Sequence, residues 1–341
     1  MVERESRGEV PVRQVGRRTV LKATGAAVGA LATTSVGGAA PSSCEPRLRV
    51  ALLADAHLGR GERDRDRTRA LERAMEGIEA LRPGADLLVF CGNLGHRGDP
   101  DGARRALRIL ESSCLPLELV AGAHDWYRDL GRTWRERFGE PTRVWRTRGV
   151  HCVALHTALQ EDFWSGRGLS GEQRMQAVAQ LDRRVQSDFR VGPEQCARLE
   201  RELRPLADSA PVLVFGSVPL HDHGRAWNFG AVDGALARRP LRRFRRCAVV
   251  HGHLHQPIAH RVEGVAEFGV PSTAWTWPYP GSRPPGASPA PHRVDPGNPF
   301  DGCGFAVLDV RHDGDLEFGW TRWGRAASGT RRLGPGVRST V

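Results

Sequence analysis

Apolar runs alternate with segments of helical period along the first half of the chain. Residues 48–57 (LRVALLADAH) form an apolar run that ends in polar residues, which is typical of a fully covered strand in an α/β sheet. Residues 66–84 carry apolar side chains at helical spacing and end at Pro83-Gly84. The strand, helix and strand patterns then return at 85–93, 101–113 and 115–125. This β-α-β-α-β order predicts right-handed crossovers and a largely parallel core.

The middle of the chain continues the alternation. Residues 150–159 read as a strand, and the polar span 171–206 is compatible with helix. Two further strands are predicted within 211–223 and 245–255, and both end in polar residues. The sequence therefore predicts one α/β domain over residues 41–324.

The last third changes character. Residues 271–301 are dense in Pro, Gly and Trp, and their aromatic residues favour a long ordered loop over a free linker. Residues 304–323 predict a hairpin that turns at His312-Asp313-Gly314. The polar residues 325–341 are predicted to form a flexible tail.

Composition adds a basic surface to this picture. The 341 residues are 40% hydrophobic, enough for a sizeable core. The net charge of +11 favours anionic partners. Lys22 is the only lysine, a skew that reflects genome composition and explains the choice of arginine but not the surplus of cations.

Seven cysteines are scattered without a C-x-x-C pair, so zinc-ribbon and thioredoxin-like sites have no support. Cys91 and Cys152 lie in apolar strand-like runs and are interpreted as small buried side chains. Disulfide pairing among the others stays open.

The N-terminus indicates export. Arg17 and Arg18 precede a weakly apolar stretch from Ala23 to Val36 and the small residues 38–40, and the Arg-Arg-x-x-Leu-Lys core resembles a twin-arginine export signal. Residues 1–40 are therefore predicted to be a signal peptide, and the mature protein to be extracellular or in the cell envelope. The alternative is a disordered basic tail. Lipidation of Cys44 stays open, although the aliphatic residue expected three places before it is absent. No other segment predicts a membrane span.

Polar side chains follow the predicted strands at the points where those strands end. In open α/β sheets the carboxyl ends of the strands converge on one rim, where ligands bind. A single histidine of this kind is more often a core or surface residue, but the joint arrangement predicts a metal site. The residues are Asp55, His57, Asn93, His124, Asp125, His221, His223, His253 and His255.

Five short motifs in order resemble those of the calcineurin-like metallophosphoesterases. They are DAH (55–57), GN (92–93), GAHD (122–125), SVPL (217–220) and GHLH (252–255), and the resemblance spans residues 48–323. It implies a βαβ core with two packed mixed sheets flanked by helices. It also implies hydrolysis of a phosphoester by a pair of divalent ions that share one bridging carboxylate.

The resemblance also implies roles for individual residues. The first ion would be held by Asp55, His57, Asn93 and His255. The second would be held by Asn93, Ala123, Ser217 and His253, where the family has an aspartate, an asparagine, a histidine and a histidine. His124 would assist the leaving group.

Three of these positions depart from the family pattern. Asn93 removes one formal negative charge from the bridge, which weakens the binding of both ions. Ala123 offers no ligand, and Ser217 is at best a weak one. His221 or His223 could substitute for the missing histidine, but nothing replaces the asparagine at Ala123. The sequence therefore predicts one well-formed site for an ion of the Mn, Fe, Zn or Mg class, and a compromised second site.

Three functions remain open. The first is an exported, divergent hydrolase of a phosphoric mono- or diester, with His124 as general acid oriented by Asp125. In it, Arg97 contacts the phosphate or is simply a surface arginine. The second is an inactive phosphoesterase fold that serves as a binding module.

The third is a binder of anionic cell-envelope components through the six arginines of residues 237–246, which also fit a solvated helix face. Nucleic acid is not expected as a partner. The aromatic residues Trp275, Trp277 and Tyr279 either cap the site or pack on the core. The sequence leaves the substrate and the oligomeric state open.

Overall fold

A computed structural model describes residues 46–333, except 62, 161–162, 181–184, 225–226, 278–297, 299 and 325–328. The side chains of residues 165 and 329–333 are also outside the description. The predicted signal peptide, Cys44 and Tyr279 fall outside it as well. The described residues belong to one compact unit, Ser43–Val341.

The first sheet contains six strands: β1 (Leu48–Leu53), β2 (Leu87–Phe90), β3 (Leu117–Leu119), β10 (Gly304–Val310), β11 (Leu316–Arg322) and β12 (Gly329–Leu333). Their order in the sheet is β12-β11-β10-β1-β2-β3. Strands β1, β2 and β3 are parallel, and β10, β11 and β12 extend the sheet in antiparallel fashion.

The second sheet contains β4 (Arg143–Thr147), β5 (Val150–Ala154), β6 (Val212–Gly216), β7 (Cys247–His251), β8 (Ile258–Val262) and β9 (Val265–Gly269). Their order in the sheet is β4-β5-β6-β7-β9-β8. The four central strands are parallel, and the two edge strands are antiparallel to their neighbours.

Seven α-helices lie in the described part of the chain. They are α1 (Asp64–Glu79), α2 (Pro100–Leu110), α3 (Ala123–Trp126), α4 (Arg132–Phe138), α5 (Gly171–Val178), α6 (Pro193–Leu203) and α7 (Gly234–Arg238). No helix among the described residues is long and apolar enough to cross a membrane. The predicted α/β fold with two mixed sheets flanked by helices is confirmed.

The main core lies between the two sheets. Leu52 and Leu308 of the first sheet and Phe215 and Val250 of the second belong to one cluster of buried side chains. Phe268 and Phe318, one from each sheet, stack with ring centroids 4.6 Å apart. A second cluster packs the buried face of α1, including Leu71 and Ile78, against the other side of the first sheet. This packing fixes the carboxyl ends of β1 and β7 relative to each other.

Some elements differ from the predicted ones. The span 171–206 contains two helices, because Ser170 caps α5 and Pro193 begins α6. Strands β4, β8 and β9 were not predicted, and β12 lies within the segment predicted to be a flexible tail. The hairpin of β10 and β11 is as predicted. Cys91 and Cys152 are buried as interpreted, and the six described cysteines are all free.

Candidate metal centre

Three predicted ligands meet where β1 and β7 end. Asp55 and His57 follow β1, and His255 follows β7. The Asp55 Oδ1 atom lies 3.8 Å from His57 Nε2 and 3.6 Å from His255 Nε2. Each side chain is at most 3% exposed. One carboxylate oxygen and two imidazole nitrogens therefore converge on a single buried point, where they could hold a divalent ion.

Neighbouring groups orient these ligands. His255 Nδ1 lies 2.7 Å from the Trp275 carbonyl oxygen, which leaves Nε2 as the lone-pair nitrogen facing Asp55. Asp55 Oδ2 accepts a hydrogen bond of 2.8 Å from the backbone N–H of His253, so only Oδ1 faces the two imidazoles. Contacts of this kind fix the tautomer and direction of metal ligands.

Asn93 stands beside the ligands with its amide nitrogen toward them. Its Nδ2 donates to Asp55 Oδ1 over 2.7 Å, and its Oδ1 accepts from the backbone N–H of His124 over 3.0 Å. The carboxylate requires a donor and the backbone N–H requires an acceptor, so both ends of the amide are fixed. In this arrangement Asn93 is a hydrogen-bond partner of the Asp55 ligand, whereas the sequence predicted it as a ligand itself.

Five residues of the centre have left-handed backbone conformations. The φ angles are 55° at Asp55, 45° at His57, 65° at Asn93, 65° at His253 and 52° at His255. Such angles are uncommon outside glycine and cost free energy unless the surroundings impose them. Their concentration at strand ends that carry metal-type side chains marks this rim as a functional site.

The second predicted metal position retains little. Ala123 contributes only a methyl group to the cavity wall. The Ser217 Oγ atom is buried without a hydrogen-bond partner, next to Gly92. The ring of His253 lines the cavity, and its Nε2 lies 2.9 Å from the Asn228 carbonyl oxygen.

His221 and His223 do not line this cavity, although the sequence suggested them as substitute ligands. Their rings pack with each other and with His260, at centroid distances of 4.9 to 5.4 Å. The loop after β6 turns both side chains toward β8 and β9 instead.

His124 lines the cavity, with its ring centroid 4.6 Å from that of His57. Its Nδ1 accepts a hydrogen bond of 2.9 Å from the backbone N–H of Arg97, so the proton of the neutral ring is on Nε2. The Asp125 carboxylate instead accepts from the backbone N–H groups of Asn93, Leu94 and Gly122. The orienting contact predicted for Asp125 is thus made by the Arg97 backbone, and Asp125 holds the loop after β2.

Sequence reasoning missed His96. It lies in a short 3₁₀ turn, His96–Gly98, and its ring is 5.8 Å from His57 and 5.9 Å from His124. These three histidines form a second group with ligand atoms within 4.8 Å of one another. The motif GHRG contains His96, but the residue follows no strand directly. The exposed Arg97 side chain belongs to the same turn.

Aromatic side chains close the site. The cavity has a volume of about 50 Å³, room for a few water-sized ligands. The ring centroid of Trp275 lies 4.5 Å from that of His57 and 4.8 Å from that of His255, and the ring centroid of Trp277 lies 5.4 Å from that of His255. Both tryptophans line the cavity, as expected of a cap, and Trp277 also packs against the buried cluster of Phe229, Leu254 and Ile258, as expected of the core alternative.

Burial sets the protonation of the ligands. It lowers the pKa of His255 to about 3 and that of His253 to about 4, so both rings are neutral and keep a lone pair at neutral pH. Burial also raises the pKa of Asp55 to about 7, against the hydrogen bonds from Asn93 and the His253 backbone. A carboxylate in this setting is strongly stabilised by a cation.

Comparisons with known proteins agree with this fold. The sequence profile of the calcineurin-like phosphoesterases matches residues 48–257. No curated protein shows significant sequence similarity.

Solved structures share the architecture at low identity. A dimetal phosphatase from Danio rerio is 13% identical, with a TM-score of 0.59 over 84% of this chain and 99% of that one. GAP50, the anchor in the inner membrane complex of Plasmodium, is 13% identical, with a TM-score of 0.54 over 86% and 90%. PhoD is 12% identical, with a TM-score of 0.52 over 86% and 70%. At these identities the likeness shows the fold alone.

Proposed function

The chain belongs to the calcineurin-like phosphoesterase family, and from this premise we propose that it is a divergent phosphoric ester hydrolase that works with one metal ion. The observation that carries the proposal is the convergence of Asp55 Oδ1, His57 Nε2 and His255 Nε2 on one buried point. The substrate class is a phosphoric mono- or diester of a small molecule.

The residues fit one divalent ion better than two. A carboxylate oxygen and two imidazole nitrogens form a donor set suited to zinc, manganese or iron, and they leave positions open as catalytic sites require. At the second position Ala123 has no donor atom, and Ser217 retains only its hydroxyl. When bound, the ion supplies polarisation of a phosphoryl oxygen and activation of water.

The protein's own side chains would complete the reaction. The Arg97 backbone holds the ring of His124 with its Nε2–H as the available donor, suited to a hydrogen bond with a substrate or leaving-group oxygen. Arg97 itself is exposed in the turn beside His124, and phosphate contact by its guanidinium stays a prediction. Trp275 and Trp277 line the cavity and restrict it to small groups next to the ligands.

The alternative is a fold retained without catalysis, as a binding module. It is favoured by the depleted second position. The fold itself does not discriminate, since it is shared with both a dimetal phosphatase and an anchor protein. A binding surface made by the arginines of residues 237–246 has less support, because four of the six pair with acidic side chains. These are Arg238, Arg239, Arg242 and Arg243.

The test combines metal content with hydrolysis. The untagged protein is loaded with Mn²⁺ or Zn²⁺, and hydrolysis of a generic phosphomonoester and phosphodiester is followed. We expect His57→Ala to carry one ion per chain fewer than the wild type and to lose activity. His124→Ala should keep its metal content and lose at least tenfold in kcat.

His151→Ala is the matched control, because His151 lies at the opposite end of the sheet from the centre. It should change neither measurement. If the wild-type protein binds metal at Asp55 but hydrolyses neither ester, the binding-module alternative replaces the proposal.

Export is proposed on the sequence of residues 1–40. Fused to a reporter that functions only outside the cytoplasm, this segment should direct export. The double substitution Arg17→Lys and Arg18→Lys should abolish export, because twin-arginine recognition requires the pair. Unchanged export would assign the segment to another route.

A further inference from the structure

A separate group of metal-type side chains, which does not include His57, His96 or His124, lies on the outer face of the second sheet. His223, His251 and Glu267 are buried, and each offers one ligand atom, with these atoms within 4.8 Å of one another. His260 joins them, with its Nε2 3.5 Å from Glu267 Oε2 and its ring centroid 4.9 Å from that of His223. None of the four lines the cavity at Asp55.

Strand register assembles this group. His260 on β8 is the cross-strand partner of Glu267 on β9, and β7 with His251 is the other neighbour of β9. Their chain neighbours Ala259, Ala266 and Val250 point into the core between the sheets, so strand alternation turns the three side chains His251, His260 and Glu267 to the opposite face.

The loop after β6 covers the group formed by His251, His260 and Glu267 and contributes His223 to it. Glu267 Oε1 accepts hydrogen bonds from the backbone N–H groups of Leu220, over 2.8 Å, and His221, over 3.1 Å. The other carboxylate oxygen, Oε2, is left facing the histidines. His223 belongs to the same loop and lies two residues after His221.

Apart from the 3.5 Å contact between His260 Nε2 and Glu267 Oε2, five buried polar atoms of this group have no hydrogen-bond partner. They are both ring nitrogens of His223, Nε2 of His251, Nε2 of His260 and Oε2 of Glu267, and all are buried. His251 Nδ1 lies 3.0 Å from the Gly252 carbonyl oxygen, which leaves the lone pair of the neutral ring at Nε2. Buried polar atoms are rarely left without partners, and a cation at the centre would satisfy one atom of each side chain.

We propose that His223, His251, His260 and Glu267 form a metal site separate from the centre at Asp55. It binds a zinc-class divalent ion and links the loop after β6 to β7, β8 and β9. Three imidazoles and one carboxylate match the four-coordinate donor sets of zinc. The ligands are between 0% and 9% exposed. Such enclosure suits a structural ion rather than one open to substrate. This site is independent of the proposed hydrolase function.

The test uses a chain without the metal centre at Asp55 and measures the zinc that stays bound. The reference is the untagged full chain with Asp55→Ala and His57→Ala, loaded with Zn²⁺ and dialysed. We expect it to retain one zinc ion per chain by elemental analysis. Adding Glu267→Gln should lower the content to near zero, while adding His151→Ala instead should leave it at one.

X-ray absorption gives a readout that does not depend on the folding of a cluster variant. Zinc in the reference chain should show three nitrogen ligands and one oxygen ligand at about 2.0–2.1 Å. A reference chain that binds no zinc would overturn the proposal, and the group would then be a buried network of histidines around Glu267. Zinc bound with other ligands, or retained after Glu267→Gln, would overturn it equally.

Discussion

Asn93 shows how one amide alters a metal site. A carboxylate at this position would present an oxygen to any ion beside Asp55, whereas the amide presents an N–H group. The Asn93 side chain therefore satisfies Asp55 in the absence of metal, through the 2.7 Å hydrogen bond, and adds no charge in its presence. Compared with an aspartate at this position, Asn93 is therefore expected to stabilise the metal-free centre and to lower its affinity for an ion.

This comparison gives a prediction for Asn93→Asp. Without metal, the new carboxylate would lack the N–H group that Asn93 donates to Asp55. The free energy of unfolding should therefore fall by about 1–3 kcal/mol. With Mn²⁺ added, the extra negative charge should lower the Kd for the ion. Denaturant titration and calorimetry measure the two effects.

Asn298→Asp is the control, since the Asn298 side chain accepts a hydrogen bond from the Phe300 backbone N–H and does not line the cavity at Asp55. It should leave both quantities unchanged. An Asn93→Asp protein with wild-type stability and wild-type Mn²⁺ affinity would contradict this account of the amide.

The sequence could identify residues of the centre but not their orientation. Asp55, His57 and His255 follow strand ends, so their meeting is a consequence of parallel strand order. The direction of the Asn93 amide depends on its contact with His124, a residue 31 positions away, which no local pattern records. His96 and Glu267 were missed for the same reason, since their neighbours come from distant segments.

At the scale of elements, the segment that follows β9 acts as a wall of the site. The Trp275 carbonyl oxygen orients His255, and its indole packs on both His57 and His255. The Arg67 guanidinium of α1 lies 4.8 Å from the centroid of the same ring and makes a cation–π contact with it. The wall is therefore held by contacts to two elements of the first sheet's layer.

Trp275→Ala should weaken metal binding about tenfold without unfolding the protein, because it frees the imidazole rings while leaving the backbone carbonyl in place. Metal titration of the variant measures the change. Trp227→Ala is the matched control, since that indole is 59% exposed. Equal Kd values for the two variants would mean that the indole does not support the ligands.

Elements were predictable where their period was regular and hidden where polar residues interrupted it. The strands that carry Asp55 and His255 are apolar runs and were found. Strands β8 and β9 contain His260 and Glu267, which masked their character. Their turn, Glu263-Gly264, has φ angles of 53° and 86°, a hairpin signal that lies in two residues only. Strand β12 is polar because it closes a sheet edge.

At the scale of the molecule, the metal centre joins the two sheets. Asp55 and His57 belong to the first sheet and His255 to the second, and the His253 N–H group already bridges to Asp55. An ion held by all three ligands can bind only while the sheets are packed. Binding to the folded state alone raises stability by mass action, by about 2.7 kcal/mol at a hundredfold excess over Kd.

Loading with metal should therefore raise the Tm of the wild-type protein more than that of His57→Ala, by about 5–10 °C at that excess. The comparison isolates this centre, because an ion bound by His223, His251, His260 and Glu267 would stabilise both proteins alike. Thermal unfolding with and without chelator measures the difference. If the Tm of both proteins rises equally, Asp55, His57 and His255 do not bind one ion together across the sheets. The stability of the fold would then not depend on an ion at this centre.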